Sequence, residues 1–292
     1  METSNGVSES DEILCAKMIA NKIFQLWFFP FILFVLFLSA CTNVGRPQVI
    51  YIARHGQTGW NRVGRFQGDP DLDPVGYINR ISLWRLLKDE PIRAIYSSQL
   101  LRTRRTAELV ARQNGLTIQP RAELNEINTG IFEGICYEQV FAADKTRSRV
   151  EPCAVNVRGS GPKETLEWLK TKAEGSFTNP LVQKPPLGEN YHDLVQRISK
   201  FIEELDRENP NHAVLVVGHS VTNRLFLHLL AGWPIENVRY LRQENDQVYR
   251  LERHDPKSPT LFLYTPGLGW KPCTMPKPGQ RGIDCNPGVE KE

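Results

Sequence analysis

The strongest fold signal in the chain is VIYIARHGQTGWN, residues 49–61. The run QVIYIAR, residues 48–54, is almost continuously apolar and β-branched, which is typical of a strand buried on both faces of a sheet. It stops at Arg54, His55 and Gly56, so a cation, an imidazole and a glycine follow one another at its end. This pattern predicts a reactive site held at the rim of a sheet by a rigid strand.

The rest of the chain alternates between strand and helix patterns. Strands are predicted at 48–54, 92–98, 117–124 and 212–220, and a closing hairpin at 247–253 and 260–265. Helices are predicted at 75–90, 99–115, 191–207 and 222–232. This alternation predicts an α/β fold, a three-layer sandwich with a mainly parallel central sheet and helices on both faces. In such sheets, ligands bind beyond the carboxyl ends of the strands.

The pattern also predicts the domain organisation. Residues 1–41 precede the fold, and residues 42–265 form the catalytic domain. Segment 136–187 is long and irregular, which indicates a lid insertion over the end of the sheet. Residues 266–292 are rich in proline and glycine and predict a tail that is disordered or wraps the surface.

The N-terminal segment has the pattern of a targeting signal. Residues 23–41 are apolar and follow Lys17 and Lys22, as the core of a secretory signal follows its basic region. The end of the segment, Leu-Ser-Ala-Cys at 38–41, resembles the lipobox of bacterial lipoproteins, which implies lipidation of Cys41. An uncleaved signal anchor is the alternative. Either form predicts an extracytoplasmic, membrane-anchored protein.

Composition limits the remaining function classes. The chain has 292 residues and a net charge of only +3, and its basic residues are scattered. No basic run alternates with aromatic residues, so nucleic acid is not an expected partner. Nothing in the sequence indicates the oligomeric state.

The cysteines predict disulfides rather than a metal site. Once Cys15 and Cys41 are set aside, four remain, and an even number in an oxidising compartment permits two disulfides in three connectivities. Of these we favour the local pairs Cys136–Cys153 and Cys273–Cys285, and four unpaired thiols remain the alternative. Structural zinc is not expected, because no two cysteines have the short spacing of zinc ligands.

Polar segments that contain an arginine, a histidine or both follow three of the predicted strands. Arg54 and His55 follow the first, Ser97 through Arg102 follow the second, and Gly218 and His219 follow the late strand. Because the carboxyl ends of parallel strands share one edge, two arginines and two histidines should meet there. Such a gathering of cations predicts an anion site.

Five sequence blocks resemble the histidine phosphatase superfamily, in the branch that contains phosphoglycerate mutases and fructose-bisphosphatases. They stand in the family's order and are R-H-G-Q-T-x-W-N (54–61), S-S-x-L-x-R-T-x-x-T-A (97–107), L-N-E-I-x-x-G-x-x-E-G (124–134), G-E-N-x-x-D-x-x-x-R (188–197) and G-H-S (218–220). The resemblance covers residues 48 to about 265 and implies the phosphoglycerate mutase-like fold.

The resemblance also implies catalytic roles. His55 would be the nucleophile that forms a phosphohistidine, and it must be neutral to attack. Arg54, Arg102 and His219 would supply positive charge that lowers the pKa of His55 and stabilises the transferring phosphoryl group. Glu126 would be the general acid that protonates the leaving group, with Glu133 as the alternative.

Further residues of the same blocks would complete the pocket. Asn61 would add a neutral donor to the phosphoryl group, and Thr58, Gln67 and Gly68 would line the pocket. Glu189 would orient the site without contacting the substrate.

The sequence therefore predicts a phosphomonoester hydrolase that acts through a phosphohistidine without a metal or cofactor. Its substrate would be a small phosphate ester, with a phosphoprotein also open. A phosphoglycerate mutase-type phosphotransferase is one alternative, although Ile127 through Gly130 depart from the mutase form of that block. A non-catalytic binding lipoprotein on the same fold is the other.

Overall fold

The computed structural model describes residues 47–66, 68–137, 181, 183–255, 258–274 and 285. All of them belong to the second of two compact units, which spans Pro47–Glu292. Its strands are β1 (Gln48–Arg54), β2 (Ile92–Ser98), β3 (Ile118–Arg121), β4 (Ala213–Gly218), β5 (Val248–Arg253), β6 (Thr260–Thr265) and β7 (Gly269–Cys273). Its α-helices are α1 (Gly59–Val63), α2 (Pro74–Leu87), α3 (Leu101–Asn114), α4 (Tyr191–Glu208) and α5 (Ser220–Ala231), and short 3-10 helices lie at Ala122–Leu124, Gly130–Phe132 and Ile235–Tyr240.

The described strands form one mixed sheet in the order β3-β2-β4-β1-β5-β6-β7. Strands β3, β2, β4 and β1 are mutually parallel, whereas β5, β6 and β7 continue the sheet by antiparallel pairing. The predicted three-layer α/β fold is confirmed, but the sheet is less parallel than expected. Two of the three antiparallel pairings, β5–β6 and β6–β7, follow from the short connections after β5 and β6, since a parallel pairing needs a crossover of about a dozen residues or more; the third is the pairing of β5 with β1.

Helices cover both faces of the sheet, and the side chains of β1 pack against the helices on each face. Ile50 and Ile52 pack in the core cluster that also contains the buried residues of α4 and α5. Tyr51 and Ala53 point to the opposite face, where they pack with residues of α2 and α3. Because successive side chains of a strand alternate between faces, this nearly unbroken apolar strand serves two cores at once.

Several element bounds match the sequence-based prediction. Strands β1, β2 and β6 have the predicted bounds, and the four longer helices lie where periodicity placed them. The five-residue α1, strand β7 and the three 3-10 helices were missed, and the first 3-10 helix takes up the last three residues of the predicted strand 117–124. Strand β7 lies inside the predicted Pro/Gly-rich tail, so the sheet continues past residue 265.

Other predictions fall wholly or partly outside the described residues. The signal segment 1–41 and its Cys41 lie outside them, as do Gln67 and most of the lid segment 136–187. No helix in the part of the chain that the structure describes is long and apolar enough to cross a membrane.

The disulfide prediction is confirmed for one pair. Cys273 and Cys285 form a disulfide, which ties the chain after β7 back to that strand. Cys136 is also disulfide-bonded, but Cys153, its predicted partner, lies outside the described residues.

Candidate active site

His55 lies directly after β1 and is only 2% exposed. Its backbone N–H donates to the carbonyl of Gly218 at 3.0 Å, which extends the pairing of β1 with β4 by one residue. The next residue has to be glycine, because a Cβ at Gly56 would lie 2.5 Å from the carbonyl oxygen of Gly76 in the first turn of α2. The rim of the sheet thus holds the imidazole rigidly, as the sequence predicts.

The hydrogen bonding of His55 fixes its tautomer. Nδ1 lies 2.8 Å from the carbonyl oxygen of Gly56. Because a carbonyl only accepts, Nδ1 carries the proton and Nε2 keeps its lone pair. Within the described part of the chain no group hydrogen-bonds to this Nε2.

The surroundings of His55 keep its ring neutral. Burial lowers the pKa of His55 well below its ordinary value, and the guanidinium groups of Arg102 and Arg54 lower it further. The hydrogen bond to the Gly56 carbonyl opposes these effects but does not outweigh them. An unprotonated imidazole with a free Nε2 is the form that a nucleophile requires.

Arg102 supplies a fully buried cation on the first turn of α3. Its Nη1 donates to the carbonyl of Gly68 at 2.5 Å, and its Nη2 lies 3.2 Å from Nδ1 of His219. Burial lowers the pKa of Arg102 to about 10, against the opposing effects of Glu126 and Asp69, so the side chain stays charged at neutral pH.

Arg54 is the second cation and ends strand β1. Its Nη1 donates to the backbone carbonyl of Gln243 at 2.9 Å. Burial lowers the pKa of Arg54, while Tyr137, Glu126 and Glu244 raise it. Glu126 therefore lies within electrostatic range of both arginines.

His219 differs from the sequence-based prediction, because it is a neutral group. Arg102 donates to its Nδ1, so its proton must be on Nε2, which donates to Oγ of Ser98 at 2.8 Å. Burial lowers the pKa of His219 well below its ordinary value, and Arg102 and His55 lower it further. The expected third cation is thus a hydrogen-bonding partner that orients Arg102, with its ring centroid 5.1 Å from that of His55.

The carboxylate of Glu126 lies at the N-terminus of α5. Oε1 accepts from the backbone N–H groups of Ile127 at 3.1 Å and Thr222 at 3.2 Å and from the Thr222 hydroxyl at 3.1 Å. Oε2 accepts from the backbone N–H of Val221 at 3.3 Å. The helix that begins after His219 therefore also fixes the predicted general acid, which explains why residues distant in sequence meet at this point.

Glu189 acts on the site through Arg197. The two side chains form a bidentate pair, with both oxygen–nitrogen distances at 2.9 Å. Arg197 also donates to the backbone carbonyls of Glu123 at 2.6 Å and Glu126 at 3.1 Å. The orienting role predicted for Glu189 thus has a structural basis, since the pair holds the backbone that carries Glu126.

Thr58 and Asn61 have different roles at the start of α1. They form a capping box, in which Oδ1 of Asn61 accepts from both the backbone N–H and the hydroxyl of Thr58 at 3.1 Å. Thr58 is fully buried, and its hydroxyl donates to Oδ1 of Asn61 and accepts from the backbone N–H of Asn61. This orientation leaves Nδ2 of Asn61 without a hydrogen-bond partner among the described residues, as expected of a neutral donor to substrate.

A cavity of about 450 Å³ opens beside Glu126 and extends over Gly68. Glu133, the alternative acid, also lines it, and the carboxylate of Glu133 packs where a side chain at Gly68 would stand. The cavity lies on the side of the general acid, and the described residues that line it do not include His55, the two arginines or His219.

Sequence reasoning missed several residues that support the site. Thr106 accepts from the backbone N–H of Gly56 at 2.9 Å, and Ser98 holds His219; both stand in a quoted motif block that could have indicated them. Gln243 and Asn245 contact Arg54 and His55 from a loop that carries no motif, so no sequence signal pointed to them.

Comparison with known proteins agrees with this geometry. Residues 50–175 and 157–264 match the family model of the histidine phosphatase superfamily (branch 1). The chain is 30% identical to human 6-phosphofructo-2-kinase/fructose-2,6-bisphosphatase 4 over 207 residues, which are 70% of this chain and 37% of that protein. It therefore spans little more than a third of the length of that bifunctional relative.

Two further matches are to phosphatases that this chain covers over most of their length. Phosphoserine phosphatase 1 of Hydrogenobacter thermophilus is 28% identical over 185 residues, covering 63% of this chain and 76% of that one. The crystal structure of the alpha-ribazole phosphatase from Shigella flexneri superposes with a TM-score of 0.56 at 22% identity, covering 73% of this chain and 94% of that one. At this identity the second match shows the shared fold.

Proposed function

Because the chain belongs to branch 1 of the histidine phosphatase superfamily, we propose that it hydrolyses phosphomonoesters through a phosphohistidine at His55. The observation that carries the proposal is the state of the His55 imidazole. It is buried and neutral, its Nδ1 is bonded to the Gly56 carbonyl, its Nε2 has no hydrogen-bond partner among the described residues, and two arginine cations lie within electrostatic range. These features suit a nucleophile that attacks phosphorus.

The first half-reaction transfers the phosphoryl group to the enzyme. Nε2 of His55 forms a bond to phosphorus while the bond from phosphorus to the ester oxygen breaks. Arg54 and Arg102 hold the charge on the equatorial oxygens, and Nδ2 of Asn61 adds a neutral donor. Glu126 gives its proton to the leaving oxygen as the ester bond breaks.

The second half-reaction returns the enzyme to its starting state. Glu126, now a carboxylate, takes a proton from a water molecule as that water attacks phosphorus. The phosphorus–nitrogen bond breaks, inorganic phosphate leaves, and His55 regains its lone pair. Positive charge comes from the arginines throughout, so we propose a reaction that needs no metal.

Phosphate release from p-nitrophenyl phosphate in the presence of EDTA tests this function. We expect turnover in EDTA and an acid-labile phosphoenzyme after rapid quenching. Loss of activity in EDTA that a divalent cation restores would refute the metal-independent mechanism. Interconversion of 2- and 3-phosphoglycerate without phosphate release would identify the mutase alternative, and silence in both assays would favour the non-catalytic alternative.

We also propose that residues 1–41 direct export and that Cys41 carries a lipid, as the sequence pattern predicts. Fractionation of the full chain and of a Cys41→Ala variant after labelling with a radioactive fatty acid tests this step. Label in the membrane fraction that disappears in the variant would support lipidation. A membrane-bound but unlabelled wild-type chain would favour the signal anchor.

A further inference from the structure

The loop at residues 241–247 contacts the catalytic end of β1 on the side where the sheet pairing stops. On its other side β1 keeps its pairing with β4 as far as Arg54 and Gly218, and the backbone N–H of His55 extends it. Toward β5 the paired residues end at Ala53 and Val248. Beyond Ala53, therefore, no described strand pairs with β1 on the β5 side, although β4 still pairs with it on the other side.

On this side of β1, side-chain amides donate hydrogen bonds to the backbone carbonyls near its end. Gln243 provides the first of these amides. It is 2% exposed, and its Nε2 donates to the carbonyl of Ile52 at 2.8 Å and to that of Gln247 at 3.1 Å. These bonds fix the loop so that the backbone carbonyl of Gln243 accepts from Nη1 of Arg54 at 2.9 Å. Gln243 thereby sets the orientation of one catalytic guanidinium.

Asn223 and Asn245 provide the other amides. Nδ2 of Asn223, on α5, donates to the carbonyl of Ala53 at 3.0 Å and to Oε1 of Gln243 at 2.9 Å. Nδ2 of Asn245 donates to the carbonyl of His55 at 2.6 Å. This contact is made to the main chain of the nucleophile itself, and the His55–Gly56 peptide that it fixes directly precedes the Gly56 carbonyl that accepts from Nδ1.

We propose that Asn245 and Gln243 are positioning residues, in which Asn245 aims the His55 imidazole at phosphorus and Gln243 aims Arg54 at the phosphoryl oxygens. This inference rests on the proposed function. Neither side chain contacts a reacting atom, and both act through a group that does. Small displacements matter here, because moving a reacting group by about 1 Å can cost about 100-fold in rate.

Substitutions of Asn245 and of Gln243 should therefore have different effects on catalysis and on phosphate binding. Loss of the Asn245 contact releases the nucleophile but leaves both arginines in place to bind a phosphoryl group. Loss of the Gln243 contacts releases Arg54, so that ground-state binding of phosphate weakens as well. Inorganic phosphate is a probe of the arginines, whereas orthovanadate forms a bond to the imidazole nitrogen and reports on its aim.

The experiment compares four variants with the wild type below the lowest melting temperature of the set. Asn245→Ala and Asn245→Leu both remove the donor, and the second keeps the volume of the side chain. Gln243→Ala removes the loop contacts. Asp246→Ala is the matched control, since Asp246 lies on the same loop and its side chain makes no hydrogen bond or ion pair with the other described residues.

For both Asn245 variants we expect kcat for p-nitrophenyl phosphate to fall by about 10- to 100-fold. We also expect the inhibition constant of vanadate to rise by a similar factor, while that of phosphate stays unchanged. Gln243→Ala should weaken both inhibitors, and Asp246→Ala should behave as the wild type.

Three results would overturn the inference. One is an Asn245 variant that matches the control in kcat and vanadate affinity. Another is an equal loss of phosphate and vanadate binding in the Asn245 variants, which would indicate general loosening of the site. A wild-type protein that neither forms a phosphoenzyme nor binds vanadate would overturn the proposed function and this inference with it, whereas the first two results leave the function standing.

Discussion

Replacing Glu126 by glutamine should slow hydrolysis according to the leaving group of the substrate. Glutamine keeps the shape of the side chain but cannot donate a proton to the leaving oxygen as a carboxylic acid does. An alkyl phosphate releases a poor leaving group that needs this proton, whereas p-nitrophenyl phosphate releases a stabilised phenolate. The formation of phosphohistidine should therefore slow strongly with the first substrate and weakly with the second.

The structure bounds the magnitude of this effect. Three of the four hydrogen bonds to Glu126 go to Oε1. The side-chain oxygen of glutamine can accept all three when it takes the place of Oε1. Only the bond from the backbone N–H of Val221 meets an amide nitrogen instead of Oε2, which costs about 1–3 kcal/mol of stability. Loss of the proton transfer costs about 100- to 10,000-fold in rate, or about 3–5 kcal/mol in the barrier, for glycerol 2-phosphate.

Rapid-quench measurement of phosphoenzyme formation separates this step from the later hydrolysis. That separation is needed because Glu126 also serves as the base for water, so Glu126→Gln should accumulate phosphohistidine with p-nitrophenyl phosphate. Glu133→Gln is the control, as Glu133 lines the same cavity and is exposed. Equal slowing of both substrates by Glu126→Gln would refute the assignment, and a selective effect of Glu133→Gln would transfer the role to that residue.

The structure supports three further expectations. His55→Ala should abolish both turnover and the phosphoenzyme signal in the quench assay, and residual phosphoenzyme would place the nucleophile elsewhere. Because burial lowers the pKa values of His55 and His219 below the unfolded value of 6.5, unfolding below that pH takes up protons. Stability in urea should then fall as the pH drops below 6.5, by up to about 2.7 kcal/mol per pH unit for two protons, and the uptake should shrink by one proton in His219→Gln. Gly218→Ala should lower the free energy of unfolding by about 1–3 kcal/mol, since its Cβ would overlap Oδ1 of Asn223, whereas Gly59→Ala, with open space around it, should be tolerated in the same urea titration.

The sequence was sufficient for the parts of the fold that rest on local pattern. Strand β1 and its end at Arg54 and His55 could be predicted, because a doubly buried strand is apolar on both faces and polar residues then stand out. The approach of Arg102 and His219 to His55 also followed from parallel strands sharing an edge, and the structure brings them together.

Other features depend on contacts that no local pattern encodes. The neutrality of His219 comes from Arg102 on one side and Ser98 on the other, and neither bond could be read from the spacing of the motifs. The loop carrying Gln243 and Asn245 has no apolar periodicity and meets β1 across almost 190 residues of chain. Strand β7 was missed because Pro/Gly-rich composition argues against a strand, although an edge position tolerates proline.

The residues of the site lie far apart in the sequence, and this separation has a consequence for biosynthesis. The nucleophile leaves the ribosome about 190 residues before Gln243 and Asn245, and β1 pairs with strands that begin at residues 213 and 248. A nascent chain that stops before residue 241 carries His55, both arginines and Glu126, but it lacks Gln243 and Asn245, so among the described residues the end of β1 is held only by β4 and Asn223. Full phosphatase activity should therefore require that synthesis has passed the loop at residues 241–247.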